Sequence, residues 1–315
     1  MREVYRVTDQ NLVDLLTNLK GQLESGIMSI RFPNPKSPAP YYEGELYELD
    51  GQMVRFRSLR AWLEICEILE VGFQIDNLSK RWCEATLKST SWSKKSWHRS
   101  SLGSGHPEKY GTSSDYIRIN KLEEPHIWHD FMRALDYVKL ATTSKILSIG
   151  CNQGDELFAI WQKLSEVQRE SSTLLGIDHC ETAIECAQQK YPQLMFSVAD
   201  ARTLTPEYFG DLDLLVALNV LQSPSLSGHH LFKTWVKSLL NSNTAVIIGL
   251  PNCRYHGHEL RFGAVTKHTG YAQDSSLILS DVQFYTRYLR QQGFTVIVQG
   301  HYTQYIVARR QKLKR

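Results

Sequence analysis

Gly150, Asn152 and Gly154 make a Gly-x-Asn-x-Gly turn behind the apolar run Ile146, Leu147 and Ile149. Glycines let a backbone approach a ligand closely, and a helix starting behind such a turn offers unpaired N–H groups. A helical pattern follows at once through Leu157, Phe158, Ile160, Trp161 and Leu164. Asp178 closes the next apolar run, Thr173–Asp178, where a carboxylate can accept hydrogen bonds from ribose hydroxyls. Asp200 and Ala201 stand behind Leu194–Val198, and Asn219 behind Leu212–Leu218. Each has a plainer reading: Asp178 or Asp200 as a helix cap, Asn219 as a turn residue. Together, at the ends of consecutive runs, they point to a ligand more firmly than any one does. A dinucleotide fingerprint would need glycine at Gly150, Asn152 and Asp155, and two of the three are missing.

A second group of reactive side chains lies in a polar insert, residues 251–280, behind the run Thr244–Leu250. It holds Arg254, Tyr255, His256, His258, Glu259, Arg261, Lys267 and His268. A long connection without obvious secondary structure is usually functional or disordered, and this one falls on the ligand side of an open α/β sheet. His256 or His258 can act as acid, base or acceptor contact. The His256-x-His258-Glu259 donors would suit zinc or iron, but no partner pair at a known spacing accompanies them, so no metal is assigned.

The elements that must position these residues alternate regularly. Pro125 opens a helix with Trp128, Phe131, Met132, Leu135 and Val138 on one face. Five apolar runs then alternate with helical patterns, which predicts a mostly parallel sheet. A helix through Val282, Tyr285 and Leu289 stops at Gly293. Phe294–Gln299 and Tyr302–Ala308 are joined by Gly300 and His301 alone, so they must pair antiparallel. Ahead of all this, residues 8–23 have a helical period capped by Thr8 or Asp9, and Gly26–Phe32 reads as a strand. Asp50-Gly51 marks a hairpin, and Ser58 caps a helix through Leu59, Trp62, Leu63, Cys66 and Leu69. Arg55, Arg57 and Arg60 form either a solvated face or a surface for an anionic acceptor. The expected organisation is a small α+β domain over 1–87, a Ser-, Gly- and Lys-rich linker or lid over 88–115, and an α/β domain over 116–315.

The turn and the three strand ends resemble, in order, the motifs of the class I S-adenosylmethionine (SAM)-dependent methyltransferases, over about residues 120–309. The resemblance implies a Rossmann-like domain with a seven-stranded, mostly parallel sheet, with SAM as cofactor. Gly150, Asn152 and Gly154 would cradle its amino-acid end, Asp178 its ribose, and Asp200 with the Ala201 backbone N–H its adenine. Asn219 would line the methyl centre. Tyr116 and Arg118, in the segment entering the domain, would close over the cofactor. The chain departs from the family at Ser148, where an acidic residue two before the first glycine is usual. The implied activity is methylation of an N or O atom. A small-molecule acceptor is favoured. RNA is the alternative, suggested by Trp92, Trp97 and Tyr110 among basic residues and by the basic tail Arg309–Arg315. A non-catalytic SAM- or partner-binding protein is the third reading.

The chain has 315 residues, 42% hydrophobic and 22% charged, room for one large domain and a smaller one. A net charge of +3 permits RNA binding without demanding it. Met1–Lys20 has no apolar core of a secretory signal, and no apolar stretch approaches the roughly 20 residues of a membrane span. The six cysteines form no Cys-x-x-Cys pair and read as reduced thiols, which predicts a cytoplasmic setting. Oligomeric state is not legible.

Overall fold

A computed structural model describes residues 4–23, 26–36, 41–89, 106–141, 143–223, 226–256, 259–263 and 276–310. The chain divides into two compact units, Met1–Trp92 and Ser93–Arg315.

The first unit runs β1 (Val4–Arg6), α1 (Leu12–Gln22), β2 (Ile27–Pro33), β3 (Leu46–Leu49), β4 (Gln52–Arg55), α2 (Leu59–Ile68), β5 (Val71–Leu78) and β6 (Trp82–Ser89). Four strands make a sheet in the order β1-β2-β6-β5, while β3 and β4 form a separate hairpin. Met28, Ile30 and Phe32 of β2 alternate inward and meet Leu15 and Leu19 of α1 and Trp62 and Ile65 of α2. The hairpin turn is as expected: Asp50 and Gly51 both take positive φ, 53° and 75°. Ser58 caps α2 by accepting from the Ala61 N–H at 3.2 Å.

Two readings of this unit change. Asn11, not Thr8 or Asp9, caps α1, accepting from the Asp14 N–H at 3.0 Å. Strands β1, β5 and β6 went unrecognised, although Cys83, Ala85 and Leu87 alternate with Glu84 and Thr86 along β6. The arginines find partners within the unit. Arg55 donates to the carbonyls of Gly44 and Asp9, Arg57 is buried and donates to the Gln10 carbonyl, and Arg60 pairs with Glu64 at 2.9 Å. Satisfying loop carbonyls is what a guanidinium fork does well.

The second unit continues with α3 (Pro125–Val138), β7 (Lys145–Ile149), α4 (Asp155–Lys163), α5 (Glu166–Ser171), β8 (Thr173–Asp178), α6 (Glu181–Lys190), β9 (Met195–Val198), α7 (Pro206–Phe209), β10 (Leu214–Leu218), α8 (Gly228–Ser238), β11 (Ala245–Pro251), β12 (Cys253–His256), β13 (Glu259–Phe262), α9 (Ser276–Gln291), β14 (Phe294–Gln299) and β15 (Thr303–Arg310). The expected seven-stranded sheet is present, in the order β14-β15-β11-β10-β7-β8-β9. Only β15 runs against the rest; it pairs antiparallel with both β11 and β14. One face buries Leu147, Ile149, Leu215 and Ile248 beneath Phe232 and Trp235 of α8 and Tyr285 of α9. The other buries Ile146, Leu174, Val216 and Ile247 beneath Phe131 of α3, Ile160 of α4 and Ile184 of α6. Strands covered on both faces are continuously apolar, which is why five short runs were readable in sequence.

The order reverses between β7 and β10. From β7 the chain goes to β8 and β9 on one side, then returns to β10 on the other. At such a switch point the loops leave in opposite directions and open a crevice at the strands' C-terminal ends. Two details depart from expectation. Trp128 of α3 is exposed rather than on the packed face. The insert is not irregular where it is described: β12 and β13 pair as a hairpin, with His256 opposite Glu259.

Candidate functional site

The turn behind β7 takes three left-handed residues: Gly150 (φ 71°), Asn152 (φ 46°) and Gly154 (φ 80°). The N–H groups of Gly150 and Cys151 both donate to the Ile177 carbonyl, at 2.7 and 3.0 Å, so β7 stays tied to β8 past its own end. The glycines are required by packing as well as by φ. A Cβ on Gly150 would sit 2.4 Å from Val220 Cγ2, and one on Gly154 would sit 2.5 Å from the Phe196 ring. The β10 loop and β9 therefore close directly onto the turn.

Asp178 ends β8 and is 7% exposed. Its Oδ2 accepts the Asn152 N–H at 2.9 Å, and its Oδ1 accepts the Cys180 N–H at 3.0 Å. His179 Nδ1 is 3.2 Å from the same Oδ1, and this contact raises the histidine pKa. One carboxylate thus fixes both the β7–α4 turn and the β8–α6 corner. A carboxylate has about four lone-pair sites, so capacity for a ligand hydroxyl remains.

Asp200 and Ala201 leave β9 towards α7. Both Asp200 oxygens are engaged by Arg202, at 2.6 Å for Nη2 to Oδ2, and that guanidinium holds the carboxyl below its ordinary range. The Ala201 carbonyl accepts from Trp235 Nε1 at 2.9 Å. Asn219 ends β10 in the left-handed region (φ 57°), with its N–H on the Gly249 carbonyl at 2.8 Å. Its side-chain Oδ1, like Gln222 Oε1, is buried without a partner among the described residues.

Residues 106–124 cross the site as three short 3-10 turns, Pro107–Tyr110, Asp115–Arg118 and Lys121–Glu123. They are fastened at three places. Asn152 Nδ2 donates to the Tyr110 carbonyl at 3.0 Å, Gln153 Nε2 donates to the Ile117 carbonyl, and Glu108 accepts from the Thr182 hydroxyl at 2.5 Å. The Thr182 bond also lowers the Glu108 pKa. The Tyr116 ring meets Tyr110 edge-on at 5.1 Å, and Lys121 Nζ lies 5.8 Å from its centroid. Burial pushes the Tyr116 phenol up and the Lys121 ammonium down. Arg118 is exposed and pairs with Asp115 at 3.4 Å. The sequence pointed to Tyr116 and Arg118; Glu108 and the Tyr110 carbonyl carry the attachment. Neither a carbonyl nor a carboxylate bound to a distant threonine leaves a signal in a single sequence.

Ser148 is wholly buried under α4, and its Oγ donates to Glu156 Oε1 at 2.8 Å. Burial pushes Glu156 up to about 8. Neighbouring Asp155 is bound by Lys190 Nζ and by the Tyr191 hydroxyl, each at 2.6 Å. In the insert, Tyr255 donates its hydroxyl to Glu124 at 3.1 Å, and Cys253 is half-buried with its thiol pKa raised by burial. His256 takes part in β12 through its backbone; His258, Lys267 and His268 lie outside the described residues, as do Trp92, Trp97 and the tail beyond Arg310. Among the described residues, no three His, Cys, Asp or Glu side chains are grouped to hold a metal ion. Nor is any described helix long and apolar enough to cross a membrane.

The structure brings Gly150, Asn152, Gly154, Asp178 and Asn219 together at the switch point, with Tyr116 beside them. Arg118 points outward, and Asp200 is occupied by Arg202.

No family model matches this sequence, and no curated protein matches it. Its fold resembles that of solved class I SAM-dependent methyltransferases. One is the plantazolicin methyltransferase BpumL, in complex with a monoazolic desmethylPZN analog and S-adenosylhomocysteine (SAH): TM-score 0.46, 14% identity, 65% of this chain and 94% of that one. A second is magnesium protoporphyrin IX methyltransferase from Synechocystis with bound SAH: TM-score 0.39, 15% identity, 61% and 89%. A third is a TehB-like SAM-dependent methyltransferase from Corynebacterium glutamicum: TM-score 0.38, 17% identity, 57% and 87%. At these identities the likeness is one of fold.

Proposed function

We propose that the second unit binds SAM and transfers its methyl group to an N or O atom of a small-molecule acceptor. The observation that carries this reading is the switch point itself. Strands β7 and β10 are neighbours, each ends in left-handed residues, and Val220 seals the Asn219 loop against Gly150. The residues fit the cofactor's chemistry. The turn and the start of α4 offer backbone N–H groups, Asp178 retains lone pairs for ribose hydroxyls, and Asn219 Oδ1 lacks a donor among the described residues.

When bound, SAM supplies a methyl group already activated on a sulfonium. The chain then has mainly to position and to exclude water, and positioning alone can contribute roughly 7–11 kcal/mol. Residues 106–124, fastened to Asn152, Gln153 and Thr182, serve as the cover that excludes water. Gly150, Asn152 and Gly154 hold the amino-acid end, Asp178 the ribose, and Asp200 with Ala201 the adenine, provided Arg202 shares or releases the Asp200 carboxylate. Tyr116 lies over the cofactor, with Arg118 at the rim. Asn219 orients the acceptor. His256 and His258 are the bases for an acceptor that must lose a proton.

Calorimetry with SAM and SAH tests the reading. No binding by the purified chain, or unaltered binding by a folded Asp178→Ala, would sink it. Labelled SAM in a cell extract fractionated into RNA, protein and small molecules then identifies the acceptor.

A further inference from the structure

The cover over the switch point carries a cation that the fold leaves without a counter-charge. Lys121 opens the third 3-10 turn of residues 106–124 and is half-buried. Its Nζ lies 5.8 Å from the Tyr116 ring centroid, and among the described residues no Asp or Glu pairs with it. Glu124 instead accepts the Tyr255 hydroxyl at 3.1 Å, Glu108 accepts that of Thr182, and Asp115 pairs with Arg118. Other cations at this end of the sheet have partners too. Arg202 is bound to Asp200, and Arg254 donates to the carbonyls of Phe262 and Gly263 at 3.2 and 3.1 Å. Desolvation penalises a lone ammonium, which is why burial lowers the Lys121 pKa, and an anion brought beside it would remove that cost.

Tyr116 responds to both halves of the crevice. Glu156, Asp178 and Asp155 act on its phenol, and so does Cys253, the first residue of β12. Lys121 responds to Cys253 and to none of those carboxylates, so it stands on the insert side of Tyr116, away from the glycine turn. Strand β12 follows β11 directly, and the β11 carbonyl of Gly249 accepts the Asn219 N–H. Tyr255, also on β12, ties the hairpin back to Glu124, three residues beyond Lys121. Lys121 is thus grouped with Tyr116, Cys253 and Tyr255 at the insert end of the crevice. We propose that Lys121 is the anion receptor of the acceptor subsite: the molecule methylated is a small anion whose carboxylate or phosphate pairs with the Lys121 ammonium. This rests on the SAM reading, and deepens it by giving the acceptor a charge. The competing account is structural, because a lysine stem covers apolar surface and its head lies on an aromatic face without any ligand.

Labelled SAM separates the accounts, with the small molecules of a cell extract divided by ion exchange into anionic, neutral and cationic pools. Wild type is expected to label the anionic pool alone. Phosphatase treatment of that pool beforehand distinguishes the two sources: label is lost for a phosphate and kept for a carboxylate. Lys121→Met keeps the stem and drops the charge. In that variant the amount of anionic pool needed for half-maximal rate is expected to rise about 10- to 100-fold, the effect of losing a charged hydrogen bond. The rate at saturation and the calorimetric affinity for SAH are expected to stay near wild type. Label in the neutral or cationic pool, in RNA or in protein overturns the proposal without any variant, and so does the absence of label from every pool. Unchanged half-saturation, or an equal loss of SAH affinity, in a folded Lys121→Met overturns it as well. All of these outcomes leave the cofactor reading standing as long as wild type binds SAH. Wild type that binds no SAH overturns both.

Discussion

The backbone N–H of Asn152 donates to Asp178 Oδ2 across 2.9 Å, so the carboxylate that ends β8 holds the turn that ends β7. Asp178 therefore has a structural role in the turn, independent of any ligand. Replacing it with alanine strands the N–H groups of Asn152 and Cys180, at about 1–3 kcal/mol for each buried group left unpaired. Asp178→Ala is expected to unfold at lower denaturant and to lose SAH binding. Asp178→Asn keeps an acceptor oxygen and is expected to fall between it and wild type. Equal midpoints for wild type and Asp178→Ala in urea would show that the turn stands without the carboxylate.

Gly150 and Gly154 differ in how their neighbours can yield. An alanine at either costs about 1–2 kcal/mol for its left-handed backbone. The Val220 methyl, 2.4 Å from a Cβ at Gly150, belongs to a half-buried side chain that can turn. The Phe196 ring, 2.5 Å from a Cβ at Gly154, is packed in the core. Overpacking there adds about 1–3 kcal/mol. Gly154→Ala is expected to destabilise more than Gly150→Ala, and thermal unfolding of both checks the order.

Glu156 makes stability depend on pH with a definite sign. Its folded pKa is raised to about 8 from 4.5. Between those values the native state keeps a proton that the unfolded state has released, so this group's contribution to stability falls as pH rises. Below the window both states are protonated, and above it both are ionised. Glu156→Gln is expected to gain melting temperature relative to wild type from pH 5 to pH 8, with no further gain above. A constant difference across that range would refute the raised Glu156 pKa.

Asn219 adopts φ 57° and its Oδ1 has no partner among the described residues, so that oxygen contributes little to the fold. Asn219→Gly suits the left-handed backbone and is expected to melt within about 2 °C of wild type. Methyl transfer, once an acceptor is known, is expected to fall at least tenfold in that variant, since only the ligand contact is removed. A large drop in melting temperature would instead mark Asn219 as structural.

Much of the site was legible because strand ends are local features. Gly150, Asp178 and Asn219 each close an apolar run, and a run covered on both faces reads plainly. Little of the segment 106–124 was legible. Tyr116 was named through the family resemblance alone, and the Glu108–Thr182 bond joins residues 74 apart in the chain, so no local pattern encodes it. Strand β5 was missed because Gln74, Asp76 and Asn77 make its outer end polar and exposed, as an edge strand permits.

By itself the sequence determined where chain direction changes and what those corners are made of. Asp50-Gly51 had to turn, Ser58 had to cap, and Gly150–Gly154 had to bend behind a buried strand, because φ and local hydrogen bonding depend on neighbouring residues alone. Tertiary structure decided partnership. Periodicity says that a face is buried and not against what, so only the fold could set β10 beside β7, turn Arg55 and Arg57 onto loop carbonyls, and give Asp200 to Arg202. Only the fold, too, could put an acid against Ser148: Glu156 comes from the next helix, eight residues along the chain, once β7 and α4 have packed.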